Sequence, residues 1–563
     1  RNAEAKMRDG VVLRADVYRP DHGGPYPVLV MRTPYGKQGK KFDPYVKAGY
    51  IVVCQDARGR YESEGRYESF YRFDTHDAED GFDTVEWAAK LPGSNGKVGT
   101  FGVSYNSFLQ WKLAPLRPPS LVAMAASSIP PRLTELEGPG SLRPGRRLNW
   151  FYCGMSPDMR KRSGAPGPVN KMEAAKLWKE GEEKRLLNFL PRLDLPNSVF
   201  EDEAAAVKEW LRHPQLNPYD LADGLGDIGV ANLDIVGWFD HCNGSIDLDQ
   251  ALMLRGRTEA ARQTRLIIGP WGHNSRGKRK QGEVDFGPNA VLDLAKTEIR
   301  WFDRWLKDKT DGAEREAPVR IFIMGTNQWR DEAEWPLRRG TAQTFYLGGA
   351  GHANTPAGDG RLMENSADSG TDRYQYDPRD PVPTLWTPSM FTVPADQRPL
   401  AQRQDILVYQ SAPLDSALEV TGYPEVVLYA ASSAADTDFF ARLIDVAPDG
   451  VARDVAMGMV RARFRDGLDQ PKLLKPGQVT EFKIRLRPTA NEFQAGHRIR
   501  LDVTSSDFPN YERNHNTAAD QNADAHLGVA EQTVHHGGQY ASKLVLPVIP
   551  ATNQPTNTDS RKP

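Results

Sequence analysis

Apolar and polar positions alternate along the first 130 residues in a way that predicts strands followed by helices. The run "GYIVVCQDARG" is almost continuously apolar, as expected for a strand buried on both faces of a parallel sheet. The run "DTHDAEDGFDTVEWAAKL" has apolar residues at spacings of four, three and four between Ala78 and Ala89, which predicts an amphipathic helix. Together these signals predict an α/β domain with a parallel sheet.

The rest of the chain changes pattern twice. Residues 131–225 contain charged helical segments without β alternation and predict a helical insertion, after which residues 226–320 resume the α/β pattern. From residue 321 to 550, short apolar runs such as "VRIFIMG" and "YPEVVLYAAS" are separated by turns rich in Gly, Pro, Asp and Asn. This pattern predicts an all-β jelly-roll domain. Residues 551–563 are polar and predict a loose tail.

Composition narrows the possible partners. Lys plus Arg is 72 and Asp plus Glu is 74 among 563 residues, so nothing in the charge favours a nucleic-acid partner. No apolar run approaches the roughly 20 residues of a membrane span. The three cysteines form no CxxC pair and no disulfide framework. Because the first residue is Arg1, we expect an exported, periplasmic or secreted protein, and a homo-oligomer remains open.

Three residues follow apolar runs in an order typical of nucleophilic catalysis. Ser104 lies in "KVGTFGVSYNSFLQW", Asp240 follows "LDIVGWF", and His273 follows "LIIGPWG". A serine nucleophile needs an imidazole to accept its proton and a carboxylate to orient that imidazole. Each residue taken alone also fits a strand-end or turn role. His241 is a rival base, but adjacent strand-end side chains tend to point apart, which favours His273.

Distinctive motifs occur along nearly the whole chain: "MRDGVVLRADVYRP", "RTPYGK", "QDARGRYESEG", "DAEDGFDTVEWAAKLPGSNGKVGTFGVSY", "VGWFD", "IIGPWGH", "DTDFFARLIDVAPDG" and "GHRIRLDVTSSDFPNYERN". They resemble the CocE/NonD hydrolases, a group that contains cocaine esterase, α-amino acid ester hydrolases and relatives of X-prolyl dipeptidyl peptidases. The resemblance implies an α/β-hydrolase domain in two parts (1–130 and 226–320), a helical cap (131–225) and a C-terminal jelly roll (321–550). It also implies a serine esterase that forms an acyl-enzyme, with no metal and no organic cofactor.

The resemblance carries site residues with it. The family's nucleophile motif, G-x-S-Y-x-G, implies that Ser104 is the nucleophile and that the N–H of Tyr105 is one oxyanion donor. The second donor is the hydroxyl of Tyr35, in the motif "RTPY". Ser107 stands where the motif has its last glycine, a departure that we expect to affect local packing and not the nucleophile.

The expected substrate is a small-molecule ester, with amides as an alternative. α-Amino acid ester hydrolases hold the substrate ammonium with acids at two positions that are Cys242 and Asn243 here, so amino esters are disfavoured. An X-prolyl dipeptidyl peptidase needs an acidic anchor, for which Glu135 and Glu137 are candidates, although solvated charges are the more ordinary interpretation. An acylase and a non-catalytic jelly-roll binding protein are further alternatives.

Aromatic residues near the motifs are candidates for an acyl pocket. These residues are Trp150, Phe151, Trp238, Phe239 and Trp271. The adjacent pair His535 and His536 lacks a third metal ligand at useful spacing. The sequence therefore predicts a substrate pocket without a metal.

Overall fold

A computed structural model describes residues 1–39, 42–366, 369–385 and 394–550. Within these ranges, ten strands form a first sheet: β1 (Ala3–Lys6), β2 (Val12–Tyr18), β3 (Tyr26–Thr33), β4 (Ile51–Asp56), β5 (Ser94–Val103), β6 (Leu121–Ser127), β7 (Ala231–Gly237), β8 (Arg265–Gly269), β11 (Val319–Ile323) and β12 (Gln328–Glu332). The short strands β9 (Lys280–Gln281) and β10 (Val284–Asp285) form a separate ribbon. None of the helices in the described ranges is both long and apolar enough to cross a bilayer.

The first sheet has the order β1-β2-β4-β3-β5-β6-β7-β8-β11-β12. Its central strands, β4 to β11, run parallel, and β1, β2 and β12 pair antiparallel at the two edges. Both faces are covered by helices, since Val30 packs in one apolar cluster and its neighbour Leu29 in another. Burial on both faces explains why these strands are continuous apolar runs in the sequence.

The described α-helices follow in chain order. They are α1 (Asp43–Lys47), α2 (Asp77–Ala89), α3 (Tyr105–Leu113), α4 (Leu133–Glu137), α5 (Pro144–Asn149), α6 (Ser156–Ser163), α7 (Lys171–Leu177), α8 (Glu183–Leu187), α9 (Asn197–Phe200), α10 (Ala204–Arg212), α11 (Ser245–Arg255), α12 (Glu259–Arg262) and α13 (Leu294–Lys307). Helices α4 to α10 lie between β6 and β7, where the sequence predicts the cap.

The second sheet is all-β and contains thirteen described strands. They are β13 (Thr341–Gly348), β14 (Arg361–Met363), β15 (Gly370–Tyr376), β16 (Ile406–Gln410), β17 (Leu418–Gly422), β18 (Glu425–Ser432), β19 (Asp438–Val446), β20 (Ala452–Arg461), β21 (Thr480–Arg485), β22 (Thr489–Phe493), β23 (Arg498–Thr504), β24 (Ala530–His536) and β25 (Lys543–Val548). The predicted fold class, an α/β domain followed by an all-β domain, is confirmed.

One strand lies in a different domain from the one expected. The sequence assigns "VRIFIMG" to the jelly roll, but β11 pairs in parallel with β8 and extends the first sheet. A short apolar run has the same appearance in a parallel sheet and in a sandwich core, so periodicity alone cannot distinguish them. The predicted tail, residues 551–563, lies outside the described residues.

Residues 507–522 of the all-β domain make several contacts with the helical insertion. The Gly145 N–H donates to the Pro509 carbonyl at 2.8 Å, and the Leu193 N–H donates to the Asn522 carbonyl at 2.9 Å. Arg192 forms an ion pair with Glu512, and both side chains are buried. Helix α5, which is part of the insertion, is therefore held in place by contacts with the all-β domain.

Candidate active site

Ser104 lies in a tight turn between β5 and α3. Its backbone has φ 61° and ψ −125°, a region that non-glycine residues rarely occupy. The Ser104 N–H donates to the Ser127 carbonyl at the end of β6, at 3.0 Å, and the Ser104 carbonyl accepts the N–H of Phe108 at 2.9 Å. The side chain is thus presented at the point where a strand turns into a helix, which is the geometry of a nucleophile elbow.

Close packing around this turn depends on Gly102. A β-carbon at Gly102 would lie 2.6 Å from Cβ of Asn106, and the residue has a positive φ of 144°. Ser107 is accommodated inside α3 and is completely buried. Its hydroxyl has no hydrogen-bond partner among the described residues. The substitution of the family's glycine by Ser107 therefore leaves the strand–turn–helix geometry in place.

Asp240 and His273 come together because the loops after β7 and β8 are bonded to each other. The N–H groups of Trp238 and Phe239 donate to the carbonyls of Gly269 and Trp271 at 2.9 and 3.0 Å. Gly237 permits this approach, since a β-carbon there would lie 1.9 Å from the Trp271 carbonyl oxygen.

The Asp240 carboxylate is fully buried and bonded to the His273 imidazole. Its Oδ1 lies 2.8 Å from Nδ1 of His273 and also accepts the Cys242 N–H at 2.8 Å. Burial disfavours the charged form of His273, but the Asp240 carboxylate outweighs burial and raises the pKa of His273 above its ordinary 6.5. In turn, the positive imidazole outweighs burial at Asp240 and lowers the pKa of its carboxyl group.

His241 lies farther from the Asp240 carboxylate than His273 does. Its Nδ1 lies 3.6 Å from Asp240 Oδ1, compared with 2.8 Å for His273. The two imidazole rings are 4.5 Å apart between centroids. Burial, with Arg146 and His273 nearby, lowers the pKa of His241 well below 6.5.

Four donor groups in this region could hold a metal ion. Asp240, His241, Cys242 and His273 each place one ligand atom within 4.8 Å of the others. Imidazole and thiolate suit Zn²⁺. Such an ion would compete with the Asp240–His273 hydrogen bond for the same atoms.

Tyr35, Tyr105 and Trp150 form an aromatic group beside Ser104. The Trp150 indole Nε1–H donates to the Tyr35 hydroxyl oxygen at 3.2 Å, and the Trp150 and Tyr105 rings stack at 6.3 Å. Burial raises the pKa of the Tyr35 phenol, partly opposed by hydrogen bonds with Trp150 and Ser104, so the hydroxyl keeps its proton. Tyr105 is the first residue of α3, where backbone N–H groups lack intrahelical acceptors.

A cavity of about 380 Å³ connects these groups. Its described lining is Tyr35, Phe70, Val103, Ser104, Tyr105, Asn106, Ile129, Leu136, Glu137, Arg143, Arg146, Arg147, Asn149, Trp150, His241, His273 and Asn274. It therefore brings together Ser104, His273, Tyr35, Tyr105 and Trp150, with Asp240 behind His273.

Comparison with known proteins gives the family. Residues 9–275 match the X-Pro dipeptidyl-peptidase (S15 family), and residues 311–545 match the X-Pro dipeptidyl-peptidase C-terminal non-catalytic domain. Cocaine esterase from Rhodococcus sp. (strain MB1 Bresler) is 35% identical over 580 residues, which cover 97% of this chain and 98% of that protein. The chain belongs to the CocE/NonD family. It is a serine ester hydrolase of the CocE/NonD type.

Solved structures agree with this assignment. An α-amino acid ester hydrolase is 25% identical, with a TM-score of 0.76, over 97% of this chain and 96% of that one. An aminopeptidase from a Thaumarchaeota archaeon has a TM-score of 0.77 at 24% identity, over 98% and 96% of the two chains, and shows the shared fold. The family resemblance in the sequence is therefore confirmed.

Most of the predicted pocket aromatics lie in the core of this CocE/NonD chain. Trp238 donates to the Phe322 carbonyl and Trp271 donates to the Ala290 carbonyl, and both side chains are buried. Phe239 and Phe151 are also buried, and neither is among the lining residues. Only Trp150 of the five predicted residues lines the cavity, because the others point from the loops and from the segment after α5 into apolar clusters.

The acidic candidates do not provide a free carboxylate in the cavity. Glu137 was expected to be solvated, but it is buried, pairs with Arg147 and accepts the Tyr71 hydroxyl at 2.7 Å. Glu135 lines a neighbouring cavity, which shares His241 with the first, and burial and Asp247 raise its pKa to about 7. Cys242 and Asn243 are buried, and neither side chain carries a carboxylate.

We predict that Asp240→Asn lowers the pKa of His273. Once the carboxylate charge is removed, the largest effect that raises the pKa is lost while burial remains, so the pKa of His273 should fall from its raised value. Imidazole ¹⁵N chemical shifts measured against pH report this directly. Asp247→Asn, the same change in the neighbouring cavity, should leave the pKa of His273 in place. A His273 pKa that stays raised in Asp240→Asn would contradict the pairing.

Proposed function

We propose that this enzyme hydrolyses carboxylic esters through an acyl-enzyme on Ser104. The Ser104 hydroxyl oxygen attacks the acyl carbon while Nε2 of His273 takes its proton. His273 then gives that proton to the leaving alcohol as the C–O bond breaks. Water repeats the attack, with His273 again as base, and releases the acid and free Ser104. The supporting observation is the shared cavity of Ser104 and His273, with buried Asp240 bonded to His273.

In this proposal Asp240 fixes the tautomer of His273 and stabilises the imidazolium. Its bond to Nδ1 leaves Nε2 as the nitrogen available to serine. Because His273 must be neutral to accept a proton, its raised pKa predicts that kcat/KM rises with pH through a value above 6.5.

The oxyanion donors in the proposal are the N–H of Tyr105 and the hydroxyl of Tyr35. The Trp150 indole occupies one lone pair of the Tyr35 oxygen, which leaves the Tyr35 proton to point towards Ser104 and the substrate oxygen. Trp150 is thus a positioning residue. Two donors aimed at the developing charge lower the barrier more than they strengthen ground-state binding.

The surroundings of Ser104 favour simple esters over amino esters and X-prolyl peptides. Those substrates bring an ammonium group that needs a carboxylate partner in a buried site. Glu137, the carboxylate among the described lining residues, is already paired with Arg147.

A fluorophosphonate label tests the nucleophile. Wild-type enzyme should take one label and lose hydrolysis of 4-nitrophenyl esters in the same proportion, because phosphonylation blocks Ser104. Ser104→Ala should take no label. The neighbouring variant Ser107→Ala, which removes a hydroxyl without a described partner, should label normally. Equal labelling of Ser104→Ala and wild type would refute the assignment.

Paired tryptophan variants test the positioning of Tyr35. Trp150→Phe removes the N–H that bonds Tyr35, and kcat should fall about 10-fold, less than the roughly 100- to 1,000-fold loss of a complete oxyanion donor. Trp111→Phe removes a buried indole N–H with no partner among the described residues, outside the cavity, and should keep kcat. Thermal melting controls for unfolding. A Trp150→Phe effect confined to KM would show that Trp150 only contacts substrate.

A further inference from the structure

The cavity beside Ser104 is lined by more arginines than carboxylates. Among its described lining residues, three arginines (Arg143, Arg146 and Arg147) stand against one carboxylate, Glu137. All four side chains are nearly completely buried. Burying like charges together is costly unless a partner of opposite charge arrives.

Arg147 and Glu137 neutralise each other. Their side chains form an ion pair, and the Arg147 guanidinium also lies over the Phe70 and Trp150 rings, 5.0 and 4.7 Å from their centroids. The second Glu137 oxygen accepts the backbone N–H of Arg143 at 3.2 Å. The other guanidinium groups in the described lining belong to Arg143 and Arg146.

Arg143 is held in place by an aromatic residue, Tyr511. Its Nη2 donates to the Tyr511 hydroxyl, and its guanidinium carbon lies 4.1 Å from the centre of the Tyr511 ring. The Nε and Nη1 groups of Arg143 have no hydrogen-bond partner among the described residues. Buried donors of this kind are ordinarily satisfied, and Arg143 lines the cavity, so its unpaired donors point to a ligand that accepts hydrogen bonds.

Arg146 adds a second charge of the same sign. Its Nη2 lies 3.4 Å from the Asn510 side-chain oxygen, and burial together with Arg143 and Arg487 lowers its pKa. The positive charges of these arginines also act on the neighbouring Tyr511 side chain. At Tyr511, Arg143, Arg487 and Arg146 outweigh the effect of burial and lower the phenol pKa.

We propose that the cavity selects esters that carry a carboxylate, which Arg143 and Arg146 bind while Ser104 attacks the ester carbon. This inference rests on the proposed ester hydrolysis. A guanidinium presents parallel N–H donors that match the two oxygens of a carboxylate. Among the described lining residues the carboxylate, Glu137, is paired with Arg147, and neither Cys242 nor Asn243 supplies another, so the same site discriminates against cationic esters.

Matched esters test the proposal on the wild-type enzyme. 4-Nitrophenyl hydrogen adipate and its methyl-capped form differ only in a carboxylate on the acyl side, and 4-acetoxybenzoate and its methyl ester place it on the leaving group. The rate measured with Ser104→Ala is subtracted as background, and each rate is divided by the rate of hydrolysis of the same ester without enzyme. We expect kcat/KM for at least one carboxylate ester to exceed that of its neutral partner by about 10- to 100-fold, the value of charge-assisted hydrogen bonds.

Variants of Arg143 and Arg146 test whether these residues cause the preference for carboxylate esters. Arg146→Met and Arg143→Met should lower the ratio of kcat/KM for the charged ester to that for its neutral partner by about 10-fold or more, whereas Arg146→Lys should retain part of it. Arg338→Met removes an exposed arginine far from the cavity and should leave the ratio unchanged. Because the ratio compares two substrates in one preparation, a loss of folded protein cancels.

The outcomes separate this inference from the proposed function. Efficient hydrolysis of the neutral esters with no carboxylate preference in wild type would leave ester hydrolysis intact and overturn the inference. A preference that survives both methionine variants would also overturn it. Hydrolysis of none of these esters would overturn both.

Discussion

The backbone of Ser104 is the constraint on which the site depends. An L-residue at φ 61° and ψ −125° is strained, at a cost of about 1–3 kcal/mol, and persists only where the surroundings over-determine it. Here the Ser127 carbonyl holds the Ser104 N–H, and α3 begins at the next residue. The Ser127 hydroxyl also accepts the Ile235 N–H of β7 at 2.9 Å, so one residue links the Ser104 turn to the strand that leads to Asp240.

Burial then gives the charges their strength. Asp240 is removed from water, so its hydrogen bond to His273 acts in a medium of low dielectric constant and can keep the imidazole oriented. The helical insertion adds a second set of charged side chains to the cavity wall. They are Glu137 at the end of α4 and Arg143, Arg146 and Arg147 on or beside α5. The all-β domain contributes by fixing that wall through Pro509, Asn510 and Tyr511. We therefore regard the domain interface as part of the site.

Sequence patterns were most informative where short-range rules apply. Continuous apolar runs identified the strands before Ser104, Asp240 and His273, because both faces of that sheet are covered. The same rule could not decide the sheet to which Val319–Ile323 belongs, since both sheets bury apolar strands. It also failed for Trp238 and Trp271, whose orientation depends on the pairing of two loops. The Arg143–Arg147 cluster was missed because its meaning comes from burial and from a partner, Tyr511, more than 350 residues away.

The central claim is that the acyl group passes through the oxygen of Ser104. Peptide mapping of enzyme quenched in acid during turnover of a 4-nitrophenyl ester tests it most directly. Trypsin cleavage after Lys97 and Lys112 releases one peptide that contains Ser104 and Ser107. The account predicts that this peptide gains the mass of the acyl group and that fragmentation locates it on Ser104. An acyl group on any other residue, or turnover with a product burst and no acylated peptide, would contradict it.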